Sequence, residues 1–193
     1  MSSGKSSLVK ALLPDAEVLT DPRAGTTTDI RHYAWQAPSG DRITIADLPG
    51  FNLEDDRAAL EETRRAHLVI FLCDADLTGS QAKQLRFLRD LDKPVVLALN
   101  KIDRYAPDER AHLLAAIRDK TGLAPADIVS ISTGGREAVV RLLGEGIEQR
   151  DSRVRRPEIA DLRQAVQRHL DRDRELMESL RDTAVLTLAG EKL

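Results

Sequence analysis

A doubly wound α/β fold, built on a mostly parallel sheet with flanking helices, is what residues 1–150 of this sequence predict; residues 151–193 read as a linker and one long amphipathic helix. Three observations carry that expectation. Apolar runs of strand length alternate with amphipathic runs of helix length. Two of the runs, HLVIFLCD at 67–74 and PVVLALN at 94–100, are apolar almost without a break, as strands covered on both faces are. Short polar motifs stand immediately after the strand-like runs, where α/β sheets gather their functional residues.

The elements follow in order. Residues 5–13, KSSLVKALL, have helical apolar spacing. IRHYAWQA at 30–37 and RITIADL at 42–48 read as strands joined by Pro38-Ser39-Gly40-Asp41, whose residue types suit a hairpin turn. DIVSIS at 127–132 is a further strand. Helices are expected near 54–65, 80–91, 108–121 and 136–148, with Gly122 a C-cap after Lys120 and Thr121. Beyond EQRDSRVRRPE, the residues Ile159, Leu162, Val166, Leu170, Met177, Leu180 and Ala184 recur at helical spacing.

Bulk properties narrow the function classes. The chain has 193 residues, 41% of them hydrophobic and 32% charged, with a net charge of −3, which gives no overall basic footprint for nucleic acid. No apolar run approaches the ~18–20 residues that span a bilayer. The single cysteine, Cys73, lies within an apolar run and reads as a core residue of a cytoplasmic, reduced protein.

Four motifs carry chemistry. Ser3-Gly4-Lys5-Ser6-Ser7 opens the first helix; Asp47-Leu48-Pro49-Gly50 follows one strand; Asn100-Lys101-Ile102-Asp103 follows another; Ser132-Thr133 follows a third. A Gly-Lys-Ser at a helix start suits phosphate, because backbone N–H groups converge there and lysine adds charge. The Ser6 hydroxyl and the Asp47 carboxylate are hard oxygen donors suited to Mg²⁺ and its hydration shell, and the Gly50 amide could meet a terminal phosphate. Asp103 could accept both the N1 and N2 hydrogens of guanine, which adenine does not offer.

Together these motifs resemble those of the translation-factor-related P-loop GTPases, in the Era/TrmE-like branch, whose first switch sequence is similar to AGTTTDI at 24–30. The resemblance covers residues 1–150 and implies a P-loop NTPase G domain that binds GTP or GDP with Mg²⁺ and hydrolyses GTP. It implies Lys5, Thr27 and Gly50 in catalysis, Asn100 tying its loop to the base and to the phosphate loop, and the Lys101 stem over the ring face. It implies Ser3, Gly4, Lys5, Ser6, Ser7, Asn100, Lys101, Asp103, Ser132 and Thr133 in nucleotide binding, and Ser6, Thr27 and Asp47 around the metal. Thr26 and Thr28 flank Thr27 as alternatives. Thr133 stands where relatives commonly have alanine.

Two departures qualify the resemblance. After D-x-x-G many small GTPases carry a glutamine that orients water; here it is Phe51, so hydrolysis is expected to be slow or assisted by a partner, a nucleotide-dependent dimer or a monovalent cation. Ser2 and the run SSGKSS resemble the dynamin-like phosphate loop, which supports such a cation and an alternative membrane-acting role. A non-hydrolysing interaction module is another. The partner could be ribosome, RNA or a protein effector. The second departure is at the start. Neither the strand nor the first glycine that precede Gly-Lys-Ser in this fold is present, so the expected sheet lacks its first strand. Losing about four buried side chains, each worth ~1.5–3 kcal/mol, would leave two strand edges unpaired, and the chain reads as part of a longer domain.

Overall fold

A computed structural model describes residues 4–13, 18–19, 30–36, 40, 42–48, 57–143 and 147–190. The elements are α1 (Lys5–Leu12), β1 (Val18–Leu19), β2 (Arg31–Gln36), β3 (Arg42–Asp47), α2 (Arg57–Arg65), β4 (Val69–Cys73), α3 (Gly79–Asp90), β5 (Val95–Leu99), α4 (Pro107–Thr121), β6 (Ile128–Ser130), β7 (Gly135–Leu143), β8 (Ile147–Arg155) and α5 (Ala160–Gly190). The architecture is α/β, with a parallel sheet and flanking helices.

The parallel sheet has the order β4-β5-β6, with Val69 opposite Val95 and Leu97 opposite Ile128. Every residue of β5 is buried, which explains its unbroken apolar sequence. Its side chains alternate between two cores. Val96 and Ala98 pack with Leu8, Val9 and Leu12 of α1 and with Leu162, Ala165 and Val166 of α5. Val95, Leu97 and Leu99 pack on the opposite face with Leu85 and Leu88 of α3 and Ile117 of α4. Helices on both faces are what a doubly wound sheet requires.

Local chemistry sets the helix boundaries. Thr78 and Gln81 form a reciprocal capping box at the start of α3, the Gln81 N–H donating to Thr78 Oγ1 and the Thr78 N–H to Gln81 Oε1 (3.3 and 2.9 Å). Pro107 opens α4, the Ala106 N–H donates to Glu109 Oε2 at 3.0 Å, and Gly122 closes the helix at φ +62°.

Three expectations need correction. Among the described residues the strands do not form one mostly parallel sheet: β1-β2-β3 is a separate antiparallel sheet, its β2–β3 hairpin as expected, and β3 is not paired with β4, in keeping with the two unpaired strand edges that the sequence predicts. The helix expected over 136–148 is instead an antiparallel hairpin of β7 and β8, in register from Gly135 opposite Arg155 to Leu143 opposite Ile147. Gly134 and Gly135 precede it, Val139 and Val140 are β-branched, and Gly144-Glu145-Gly146 connects the strands; these residues favour a hairpin over a helix. The linker expected from residue 151 begins as part of β8. The C-terminal helix is present as α5, and Ile159 before it and Leu162, Val166 and Leu170 within it join the α1-side core. Residues 54–56 of the expected second helix lie outside the described residues.

Candidate functional site

Asn100 follows β5 and is completely buried. A buried amide must find partners, and this one bridges two loops. Its Oδ1 accepts from the Lys101 N–H (2.8 Å) and the Thr133 N–H (3.2 Å), and its Nδ2 donates to Thr133 Oγ1 (3.4 Å). Backbone bonds from Ile131 N to Leu99 O (2.8 Å) and from Ile102 N to Ile131 O (3.3 Å) continue the β5–β6 pairing into those loops.

Gly4 meets the same cluster from the start of α1. Its φ is +94°, and a Cβ there would stand 2.5 Å from Asn100 Nδ2 and 3.7 Å from Thr133 Oγ1. Only glycine satisfies both the left-handed backbone and the close approach. Three motifs remote in sequence are thereby brought to one point. No side chain caps the first turn of α1, no acidic residue lies in it, and Lys5, Ser6 and Ser7 are exposed. The partial positive charge of the helix N-terminus is therefore matched with a lysine, an arrangement suited to an anion.

Lys101 has a left-handed backbone, φ +60°. Its Nζ lies 2.5 Å from Asp74 Oδ2, and the Tyr105 hydroxyl donates to the Asp74 carbonyl at 2.7 Å. Asp103 holds two donors: Ser132 Oγ at 3.1 Å from Oδ1 and Arg155 Nη1 at 2.8 Å from Oδ2. Its carboxylate is about one-third exposed, as is the Arg155 side chain. Asp74, Tyr105 and Arg155 were not singled out by sequence. Asp74 follows a strand, the same signal that marked the other motifs; Arg155 depends on the unforeseen hairpin.

Asp47 ends β3, half-buried, and β3 contacts α1. Among the described residues no group of three or more His, Cys, Asp or Glu gathers to hold a metal. Ser6 and Asp47 nevertheless fit Mg²⁺, which takes few protein oxygens and fills its shell with water and phosphate. Ser3, Thr27 with Thr26 and Thr28, Gly50 and Phe51 lie outside the described residues.

Behind the site, burial pushes the Cys73 thiol up to about 12, with the charges of Asp74 and Asp76 adding to the effect. That thiol is 1% exposed, a core group as expected and a poor nucleophile. The hydrogen bond from Lys120 holds the Asp76 carboxyl below its ordinary value.

Comparison with known proteins gives the family of the chain. Residues 1–101 match the family described as 50S ribosome-binding GTPase. GTPase Der of Myxococcus xanthus is 33% identical over 141 residues, covering 68% of this chain and 30% of Der. GTPase Era of Synechocystis is 32% identical over 129 residues, covering 61% of this chain and 40% of Era. A crystal structure of Era with MgGDPNP and a segment of 16S ribosomal RNA has a TM-score of 0.54 at 27% identity, over 68% of this chain and 47% of that one. An Aquifex aeolicus Era variant bound to GDP and AlF4− has a TM-score of 0.55 at 26% identity, over 68% and 48%. The chain thus spans less than half the length of each of these relatives. It belongs to the 50S ribosome-binding GTPase family.

Proposed function

We propose that residues 1–150 of this chain are the guanine-nucleotide-binding part of a cytoplasmic switch protein that binds Mg-GTP and hydrolyses it to GDP, with residues 151–193 as an appended segment. The observation that carries the reading is the meeting of Gly4, Asn100 and Thr133, which joins a candidate phosphate loop to a candidate base loop. The Era structures support it further, having been solved with MgGDPNP and with GDP and AlF4−.

In this reading the Asp103 carboxylate accepts from the guanine N1 and N2 hydrogens, and the Thr133 amide faces the base O6. The Lys101 stem covers the ring. Asn100 is a positioning residue, holding the two loops at one separation. Ser3, Gly4, Lys5, Ser6 and Ser7 bind phosphate through the α1 N-terminus, and the Lys5 ammonium balances charge that grows on the β- and γ-phosphate oxygens during transfer. Ser6, Thr27 and Asp47 would hold Mg²⁺, whose charge neutralises those same oxygens. Gly50 would sense the γ-phosphate through its N–H. The reaction breaks the bond between the γ-phosphorus and its bridging oxygen as water adds, giving GDP and phosphate.

Phe51 has no group that orients water, so turnover by the isolated chain is slow, and a partner, a second copy or a monovalent cation supplies the missing contact. The family description and the RNA bound to Era support a ribosomal partner.

Phosphate release from GTP by wild type and by Asp103→Asn, set against ATP, tests the reading. Release from GTP but not ATP, with that preference lost in the variant, is expected. Equal use of both nucleotides by wild type would overturn base reading by Asp103, and GDP binding with no release under any condition would make the chain a non-hydrolysing module.

A further inference from the structure

The carboxylate read above as the guanine sensor already has an occupant. Arg155 Nη1 stands 2.8 Å from Asp103 Oδ2, while Ser132 Oγ holds Oδ1 at 3.1 Å. A guanidinium presents N–H donors in a planar fork, and the guanine edge presents N1–H and N2–H in the same donor-donor sense. At Oδ2, Arg155 therefore offers Asp103 a donor of the kind that the base would offer.

The contact is built into the fold. Arg155 is the last residue of β8, opposite Gly135 at the first residue of β7. Gly134, φ +78°, lets the chain approach so closely that a Cβ would be 2.7 Å from the Arg155 carbonyl oxygen. Just beyond, Ser132 and Glu158 exchange backbone bonds, Ser132 N to Glu158 O at 3.0 Å and Glu158 N to Ser132 O at 2.8 Å. The segment that carries Arg155 is thus bolted to the same 132–134 loop whose Ser132 and Thr133 bond to Asp103 and Asn100. Both members of the ion pair keep about a third of their side-chain surface in solvent, so an arriving base can reach them.

We propose that Arg155 is an internal competitor for the guanine edge: it holds Asp103 in the nucleotide-free protein and must withdraw when a guanine base docks. This rests on the reading of Asp103 as base sensor. The apparent affinity is lowered by the fraction of molecules in which Asp103 is free. Adenine, whose N1 is an acceptor, cannot take over the carboxylate and gains nothing from the withdrawal, so the competitor acts on guanine nucleotides alone. A partner that captures the β7–β8 hairpin with Arg155 would raise guanine-nucleotide affinity without touching the nucleotide.

The test is binding of a fluorescent GDP analogue to the 193-residue chain as wild type, Arg155→Ala and Arg155→Lys, at low and high sodium chloride. Arg155→Ala is expected to bind about three- to fivefold tighter at low salt, the range set by a partly exposed ion pair. Arg155→Lys, which keeps the charge and loses the fork, falls between. The advantage of Arg155→Ala shrinks as salt screens the wild-type pair, a response that a packing change would not produce. GDP binding by wild type that is unchanged or weakened in Arg155→Ala, with thermal melting unaltered, overturns the competitor alone. No GDP binding by any of the three proteins, or binding equally well displaced by ADP, overturns the base-reading assignment and the competitor with it.

Discussion

The two ends of the candidate nucleotide site are made differently. At the base end, Asn100 and Ser132 are buried to within 1% of complete, and each is fixed by hydrogen bonds to a neighbouring loop. At the phosphate end, Lys5, Ser6 and Ser7 lie exposed on the first turn of an eight-residue helix. The Asn100 and Ser132 loops are tied into the parallel sheet through the continued β5–β6 pairing. The phosphate end offers charge and backbone donors that a ligand completes. Substitutions at the base end should therefore damage folding and binding together, whereas those at the phosphate end should separate them.

The largest effect is expected for Asn100→Ala. Removing the amide strands the Lys101 and Thr133 N–H groups, which costs about 2–3 kcal/mol in urea unfolding and abolishes nucleotide binding. Gly4→Ala comes next, because a left-handed non-glycine costs about 1–2 kcal/mol and the methyl would strike Asn100. Its loss of GDP affinity should exceed tenfold if the two ends meet as described; a variant that bound normally would separate them.

Cys73 gives a pH signature of the buried interior. The folded chain keeps the thiol proton up to about 12, against an ordinary value of 9.0. Between those values the folded state binds more protons than the unfolded one, so stability is untouched below 9 and declines as pH rises through that window. At about pH 10 the decline is ~1 kcal/mol, read as a shift in urea midpoint that is absent in Cys73→Ala. The smallest effect on stability belongs to Lys5→Ala, within about 0.5 kcal/mol, together with a large loss of GDP affinity in fluorescence titration. That split is the sharpest contrast with Asn100→Ala.

Much of this was legible in the sequence for a physical reason. β4 and β5 are covered on both faces, so burial forced their composition and made 67–74 and 94–100 read as strands. The Gly-Lys-Ser and Asn-Lys-x-Asp motifs stand out because their residue types follow strand-like runs and suit a phosphate and a base edge. Their contact, Gly4 against Asn100, depends on how α1 docks; no local pattern encodes it, and only the family resemblance led to it. The hairpin is hidden in the sequence because Ala138, Val139, Leu142 and Leu143 also fit a helical stripe. Gly144-Glu145-Gly146 was the turn signal against it. Arg155 beside Asp103 follows from that hairpin, so a sequence that reads as helical over 136–148 does not reveal it.

Competition for a bound fluorescent GDP analogue by unlabelled GTP, GDP and ATP tests the central claim most directly. Displacement by GTP and GDP, with ATP inert, is the predicted result. Equal displacement by ATP would contradict a base end that reads guanine, and it would remove Asp103 from that role.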